Sequence, residues 1–227
     1  MSPSIAVVVP VLNEASVLAP TLRHARQPGI REIIVVDGGS TDATPTIAGE
    51  LADVVIHAQQ GRAAQMNAGA ARAGAEILLF LHADTLVPQG YAQAVARACC
   101  GHDVVGGRFD LNLAPSSPLL WLTGELINLR SRLNRIATGD QAIFIRRDVF
   151  ERLGGYADIP LMEDIDLSRR MKRSGRIACL RQRVTTSSRR WTKNGIVRTI
   201  LLMWSLRFLY FCGVSPVALK RVYANTR

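Results

Sequence analysis

Residues 34–42 read Ile34-Val35-Val36-Asp37-Gly38-Gly39-Ser40-Thr41-Asp42. Branched apolar residues run into a carboxylate, two glycines and a group of helix-capping side chains. Such a run closed by such a turn reads as a buried strand, Glu32–Val36, handing over to a helix. Glycines here let backbone N–H groups approach a ligand closely, and the Asp37 carboxylate can accept the ring N–H of a pyrimidine. The same string also suits a plain tight turn in which Ser40 or Asp42 caps the next helix. On this segment alone the two readings are even.

The pattern repeats on both sides. Ile5–Val9 is an apolar run bounded by Pro10, and Val54–His57 and Ile77–Leu81 are further short strands. Helical stretches alternate with them: Ala15–Arg26, ending near Pro28-Gly29; Pro45–Ala52, with proline in its first turn; and Ala63–Ala73, closed by Gly74. Alternation of this kind predicts an α/β fold with a mostly parallel sheet covered on both faces. Later, Val104–Leu113 and Ala142–Ile145 read as strands, and Leu119–Leu133, Met162–Ser174 and Ile196–Cys212 as helices. There is no internal repeat, low-complexity tract or linker.

In open α/β sheets ligands sit beyond the carboxyl ends of the strands. That rule selects Asn13-Glu14, Asp37-Gly38-Gly39-Ser40 and His82-Ala83-Asp84, three polar clusters expected to share one crevice. A hard cation binds few protein oxygens and completes its shell with phosphate and water. Asp84 with His82 suits that purpose, the imidazole favouring Mn²⁺ over Mg²⁺; the alternative makes Asp84 a helix cap before Pro88 and His82 a satisfied polar group. Glu163-Asp164 is the best acid/base candidate, since a hydroxyl nucleophile needs a nearby carboxylate to take its proton. The competing reading leaves Glu163, Asp164 and Asp166 as first-turn acids that stabilise a helix dipole. Ser187-Ser188-Arg189-Arg190-Trp191 joins paired guanidiniums to an aromatic, a combination that binds phosphate and stacks on sugar, or else is a basic surface loop.

The 227 residues are 48% hydrophobic and 20% charged, a folded globular composition. The four cysteines, two of them adjacent, have neither zinc nor disulfide spacing and are expected to be buried reduced thiols. No signal peptide is read at the N-terminus, and the longest apolar stretch, Ile196–Val214, contains Arg198 and Arg207. A cytoplasmic protein is expected. Charge is lopsided: Asp166 is the last acid and fifteen Lys or Arg follow it, so the chain is −5 up to that point and +15 beyond. A basic end of this kind invites nucleic acid, anionic lipid or a phosphorylated substrate. Nucleic acid is disfavoured, because no recognised binding motif is present.

Taken in order, these strings resemble family 2 glycosyltransferases, the inverting group with the GT-A fold, from Ile5 to about Trp191. Val9-Pro10-Val11-Leu12-Asn13-Glu14 resembles the family's first strand and loop, and Ile34–Asp42 its nucleotide-base turn, with Gly38 where a second Asp or Asn is usual. Gly61-Arg62, with Asn67 and Gly69, resembles the helix that contacts the nucleotide. Phe80-Leu81-His82-Ala83-Asp84-Thr85 is similar to the Asp-x-Asp metal motif, with His82 in place of the first Asp. Gly154-Gly155-Tyr156 and Glu163-Asp164-Ile165-Asp166-Leu167 resemble the segment holding the catalytic base. No single motif decides; five in order do. Phe80–Thr85, Gly139-Asp140-Gln141 and Ser188–Trp191 together resemble a compact bacterial subgroup associated with radical-SAM or selenium-related gene neighbourhoods. Ser187 stands where processive members carry Gln, so polymer synthesis is not supported.

The resemblance implies that a nucleotide-diphospho-sugar, UDP-linked by family habit, is held by Pro10, Asn13, Glu14, Asp37, Gly39, Arg62, Asn67, His82, Ala83 and Asp84. It implies Mn²⁺ or Mg²⁺ at Asp84 and His82, Asp164 as base with Glu163 orienting it, and Asp140, Gln141, Arg189, Arg190 and Trp191 serving acceptor and diphosphate. Residues 1–193 would form the catalytic domain, its nucleotide half about 1–110 and its acceptor half about 111–193. Residues 194–227 would form a basic, apolar helical tail lying on that domain or on the inner face of the cytoplasmic membrane, the acceptor being unknown and open to lipid linkage. Arg198 and Arg207 fall on opposite sides of an ideal helix, so no clean amphipathic stripe is expected there, and a buried helix or homodimer contact competes. Two further functions compete with transfer. A nucleotidyltransferase would want a Gly-rich phosphate loop after the first strand, which Pro10–Glu14 lacks. A nucleotide-sugar sensor without activity is prompted by His82.

Overall fold

A computed structural model describes residues 3–101 and 103–224, apart from the side chains of residues 190, 193, 194 and 224. The first half follows the alternation: β1 (Ile5–Val11), α1 (Ala15–Ala25), β2 (Ile30–Asp37), α2 (Thr44–Leu51), β3 (Val54–His57), α3 (Arg62–Arg72) and β4 (Ile77–Phe80). β1 lies between β2 and β4, with β3 outside β2, all parallel. Ile5, Ala6, Val7, Val8 and Val9 are all wholly buried, because β1 has helices on both faces. Val7 and Val9 pack towards Leu18 and Leu22 of α1, whereas Ala6 and Val8 pack towards Ala63, Met66 and Ala70 of α3. α3 lies close against the sheet at Gly69, where a Cβ would collide with Val8 and Val36.

The second half contains β5 (Thr85–Leu86), α4 (Tyr91–Ala98), β6 (Val104–Ala114), α5 (Pro118–Asn134), a 3₁₀ turn at Gly139–Gln141, β7 (Phe144–Arg146), α6 (Arg147–Arg152), α7 (Glu163–Ser174) and β8 (Arg176–Ser187). Among the described residues the sheet has eight strands in the order β3-β2-β1-β4-β7-β6-β8-β5. β7 runs antiparallel to β4 and β6, β8 parallel to β6, and β5 antiparallel to β8. The result is a mixed α/β sheet flanked by helices.

The chain ends in α8 (Arg189–Asn194), α9 (Ile196–Phe211) and α10 (Pro216–Ala224). Leu206 of α9 and Leu219 of α10 are buried with Ile136, Met162 and Ile165. No helix among the described residues is long and apolar enough to cross a membrane. The thiols depart from expectation: all four are free, but only Cys99 is buried, while Cys100 and Cys212 are exposed.

Candidate active site

The ends of β1, β2 and β4, with that of β3 beside them, and three later segments meet along the carboxyl edge of the sheet, joined by side-chain contacts and by short stretches of chain. At the end of β2, Asp37 accepts hydrogen bonds from the Ser40 backbone N–H at 3.1 Å and from Ser40 Oγ at 2.5 Å. His57, at the end of β3, is 3.3 Å from the other Asp37 oxygen. Ser40 Oγ also accepts from the Asn13 N–H, and Asn13 Oδ1 accepts from the Thr41 N–H, so the loops after β1 and β2 are tied together. Asp42 accepts from the N–H of Thr44, in the first turn of α2, and from that of Ala15. These contacts, with the Thr44 side chain foremost, hold its carboxyl below the ordinary range.

The next link is ionic. Arg189, at the start of α8, donates to Glu14 at 2.6 Å and lies 3.5 Å from Asp84. Asp84 is therefore not a helix cap: β5 follows it directly, and the cap position of α4 is Gly90. His82 Nδ1 is 3.0 Å from Asp140 Oδ1. The opposite edge of the His82 ring lies against Gly139, where a Cβ would stand 2.5 Å from Nε2. The backbone N–H of Gly139 donates to Asp164 Oδ2 at 2.8 Å. The chain of contacts thus passes from the end of β4 through the 3₁₀ turn to the first turn of α7.

Asp164 is the most perturbed carboxyl of the group. Burial, and then the neighbouring Glu163, push its pKa up to about 6. Glu163 is buried, and its carboxylate is 4.0 Å from Arg62 in the first turn of α3. Arg62 lies in the combined field of Glu163, Asp140 and Asp164. Gln65, one turn further along α3, closes the circuit. Its Nε2 donates to the carbonyls of Val11 and Val36, and its Oε1 accepts from the Gly61 N–H. Val36 immediately precedes Asp37, so the series returns to its origin.

Three non-glycine residues with left-handed backbone border this circuit: Asn13 (φ 54°), Ala142 (φ 47°) and Met162 (φ 72°). Such conformations cost about 1–3 kcal/mol each and persist only where surroundings over-determine them. Met162 sets the direction in which Glu163 and Asp164 leave the loop.

Other expected site residues lie elsewhere in the arrangement. Asn67 is bound at both ends of its amide to the backbone of Tyr156, at 2.9 and 2.8 Å. Gln141 is fully buried; its amide accepts from the Thr138 N–H and donates to Phe109 O. Trp191 is half-buried against the main core, and the Arg190 side chain lies outside the described residues. Pro10 is the partly exposed residue of β1, between buried Val9 and Val11, Ala83 is buried within the His82–Asp84 turn, and Gly39 is left-handed at φ 97°. Asp166 pairs with Arg170 one turn on, at 2.7 Å, and serves the helix.

Sequence reasoning missed Gln65, His57 and Arg130. Arg130, on α5, has Nε and Nη2 buried without a hydrogen-bond partner. Burial lowers its pKa to about 10, against the opposing field of Asp164. No local signal marks an arginine inside a leucine-rich helix as buried.

A family model described as Glycosyl transferase family 2 matches residues 6–154. The chain belongs to that family. A PGL/p-HBAD biosynthesis glycosyltransferase of Mycobacterium bovis is 34% identical over 168 residues, covering 68% of this chain and 64% of the relative. The probable glycosyltransferase YdaM of Bacillus subtilis is 28% identical over 199 residues, covering 76% and 47%. This family 2 chain therefore spans less than two thirds of the length of these relatives. Among solved structures, S. aureus TarS 1-349 superimposes with a TM-score of 0.65 at 17% identity, covering 82% of this chain and 60% of that one. The mannosyltransferase PcManGT of Pyrobaculum calidifontis, solved with GDP-Man and Mn²⁺, gives 0.60 at 22%, covering 82% and 57%. These likenesses establish the GT-A type of fold.

Among the described residues no three His, Cys, Asp or Glu side chains gather around a point that would hold a metal ion. His82 is engaged at Nδ1 and faces Gly139 at Nε2, which disfavours it as a ligand. Asp84 fits better: its carboxylate is partly open and, among the described residues, lies beside the long Arg189 side chain. One carboxylate suffices for a cation that draws its remaining ligands from phosphate and water.

Proposed function

We propose that the chain transfers a sugar, with inversion, from a nucleotide-diphospho-sugar to an unidentified acceptor, with Asp164 as the base. The observation that carries this reading is the circuit joining Asp37, Asp84 and Asp164 along one edge of the sheet. In this reading Asp37 takes the base of the nucleotide, UDP being favoured, with Arg62, Asn13 and Gly39 beside it. Residues 1–110 hold the donor and 111–193 the acceptor. Asp164, buried and oriented by the Gly139 N–H, takes the proton of the attacking hydroxyl. Glu163 keeps that proton affinity high, and Arg62 offsets the negative charge of the pair. Arg189 turns from Glu14 and Asp84 towards the diphosphate and balances its charge as it leaves. Mn²⁺ or Mg²⁺ held by Asp84, when bound, supplies further positive charge to the diphosphate. The three strings shared with the compact bacterial subgroup support placing the chain there.

The test is a panel of nucleotide-sugars measured by calorimetry with and without Mn²⁺, alongside a donor-hydrolysis assay. Metal-dependent binding and turnover of one donor is expected. Asp164→Asn should abolish turnover and leave donor binding intact. Tight binding without turnover in the unmodified protein would assign it instead as a sensor, a reading prompted by the engagement of His82 with Asp140.

A further inference from the structure

Two neighbouring helices expose apolar stripes that the catalytic reading does not use. On α9 Val197, Leu201, Trp204, Phe208 and Phe211 are exposed, alternating four and three residues apart, with Leu209 exposed off that line. On α5 Leu119, Leu122, Leu126, Leu129 and Leu133 are exposed, alternating three and four, with Trp121 alongside. Each spacing traces a single face of a helix about 21 Å long. The opposite faces are already packed: Thr199 and Leu206 of α9 are buried, as are Leu120, Gly124 and Asn128 of α5. α5 and α9 also touch one another. The two stripes thus lie on helices in contact, and each goes well beyond the scattered apolar residues of an ordinary protein exterior.

Sequence reading expected no clean stripe on α9, because Arg198 and Arg207 point in opposite directions. The structure explains the discrepancy. α9 is apolar on two faces, one against the body and one outward, and the arginines sit between them.

Charge identifies the occupant. Residues 189–224 carry seven Lys and Arg and no acid. Arg198, Lys220 and Arg221 are exposed, and Arg169 lies over the ring of Phe211 at 5.2 Å. On α5 the one acid, Glu125, is engaged by Arg183. A second copy of this surface would bring the same unbalanced cations and repel. An anionic lipid surface complements them, while Trp121 and Trp204 suit the level of the head groups. Neither helix is long enough to cross a bilayer, so both would lie in its plane. We propose that α5 and α9 together seat the protein on an anionic membrane surface, the basic residues of α9 and α10 forming its rim.

The full chain is sedimented with vesicles of phosphatidylcholine alone and of phosphatidylcholine containing about one-third phosphatidylglycerol, while tryptophan emission is recorded. Binding to the anionic vesicles should be at least about tenfold tighter, should weaken with salt, and should shift emission to the blue. W204Q/F208Q on α9 and L126Q/L129Q on α5 replace exposed side chains only. Each should lower binding at least about tenfold while leaving the urea midpoint unchanged. Equal or absent binding to the two vesicle types would overturn the proposal, as would undiminished binding of either variant. So would a dimer in analytical ultracentrifugation, at the vesicle-assay concentration, that W204Q/F208Q dissociates, since that result gives the surface to a second copy.

Discussion

The raised pKa of Asp164 makes a prediction that activity and stability report separately. With a pKa of about 6, the carboxyl is about one-tenth ionised at pH 5 and about nine-tenths at pH 7. A base must be ionised to work, so kcat should fall about tenfold from pH 7 to pH 5, whereas an unperturbed Asp would change it by less than about a tenth. The stability effect has the opposite sense. A carboxyl whose pKa is higher folded than unfolded binds its proton more tightly in the folded state. The stabilisation is therefore complete below about pH 4 and is lost as pH rises through about 6. A shift from 3.8 to about 6 corresponds to roughly 3 kcal/mol at most. Asp164→Asn has no such proton, so relative to wild type it should gain stability across this window, by up to that amount. Urea denaturation of both proteins at pH 4.5, 5.5 and 7 measures the difference without any substrate. A difference that stays flat over the window, or a kcat that is level between pH 5 and 7, would refute the reasoning.

Three further outcomes follow from the contacts around Asp164. Asp84→Ala should abolish the metal dependence of donor binding while leaving the free energy of urea unfolding within about 0.5 kcal/mol, as expected of a partly open carboxylate; calorimetry with and without Mn²⁺ reads the first effect. Gln65→Leu removes the side-chain donor shared by the carbonyls of Val11 and Val36, Val11 O keeping the Gly38 N–H, and chemical denaturation should show a loss of about 1–3 kcal/mol. Gly139→Ala places a Cβ 2.5 Å from the His82 ring; the ring must move, and the His82 imidazole signals should shift in NMR spectra together with a loss of roughly 1–3 kcal/mol.

Much of the parallel half of the fold is legible in the sequence because its signals are local. Val54–His57 is found at the residues expected, and the other strands of the parallel half differ from expectation by a few residues at their ends. β1, β4 and the Ile33–Asp37 part of β2 are buried on both faces and read as apolar runs, while β3, at the end of the strand order, is only partly buried but still branched and apolar over Val54–Ile56. β8 went unread because Arg176, Arg181, Gln182 and Arg183 interrupt any such run; it is held by pairing with β6, a partner about 70 residues away. α4 went unread because Tyr91–Ala98 is short and alanine-rich after Pro88 and Gly90. The expected strand at Ala142 begins two residues later, because Ala142 is left-handed after the 3₁₀ turn. At the candidate site, residue types pointed to Asp37, Asp84 and Asp164, which the fold brings to one edge of the sheet. Gln65 and Arg130 gave no sign, since their surroundings are made by chain segments remote in sequence.

Asn67 and Tyr156 are 89 residues apart, yet the side-chain amide meets both backbone polar groups of Tyr156, much as an adjoining strand would. Substrate entry cannot swing the Gly154–Tyr156 segment away from α3 without breaking both bonds at once. An opening motion that keeps both bonds hinges elsewhere, and the Tyr156 amide should exchange its hydrogen more slowly than those of the loop residues around it.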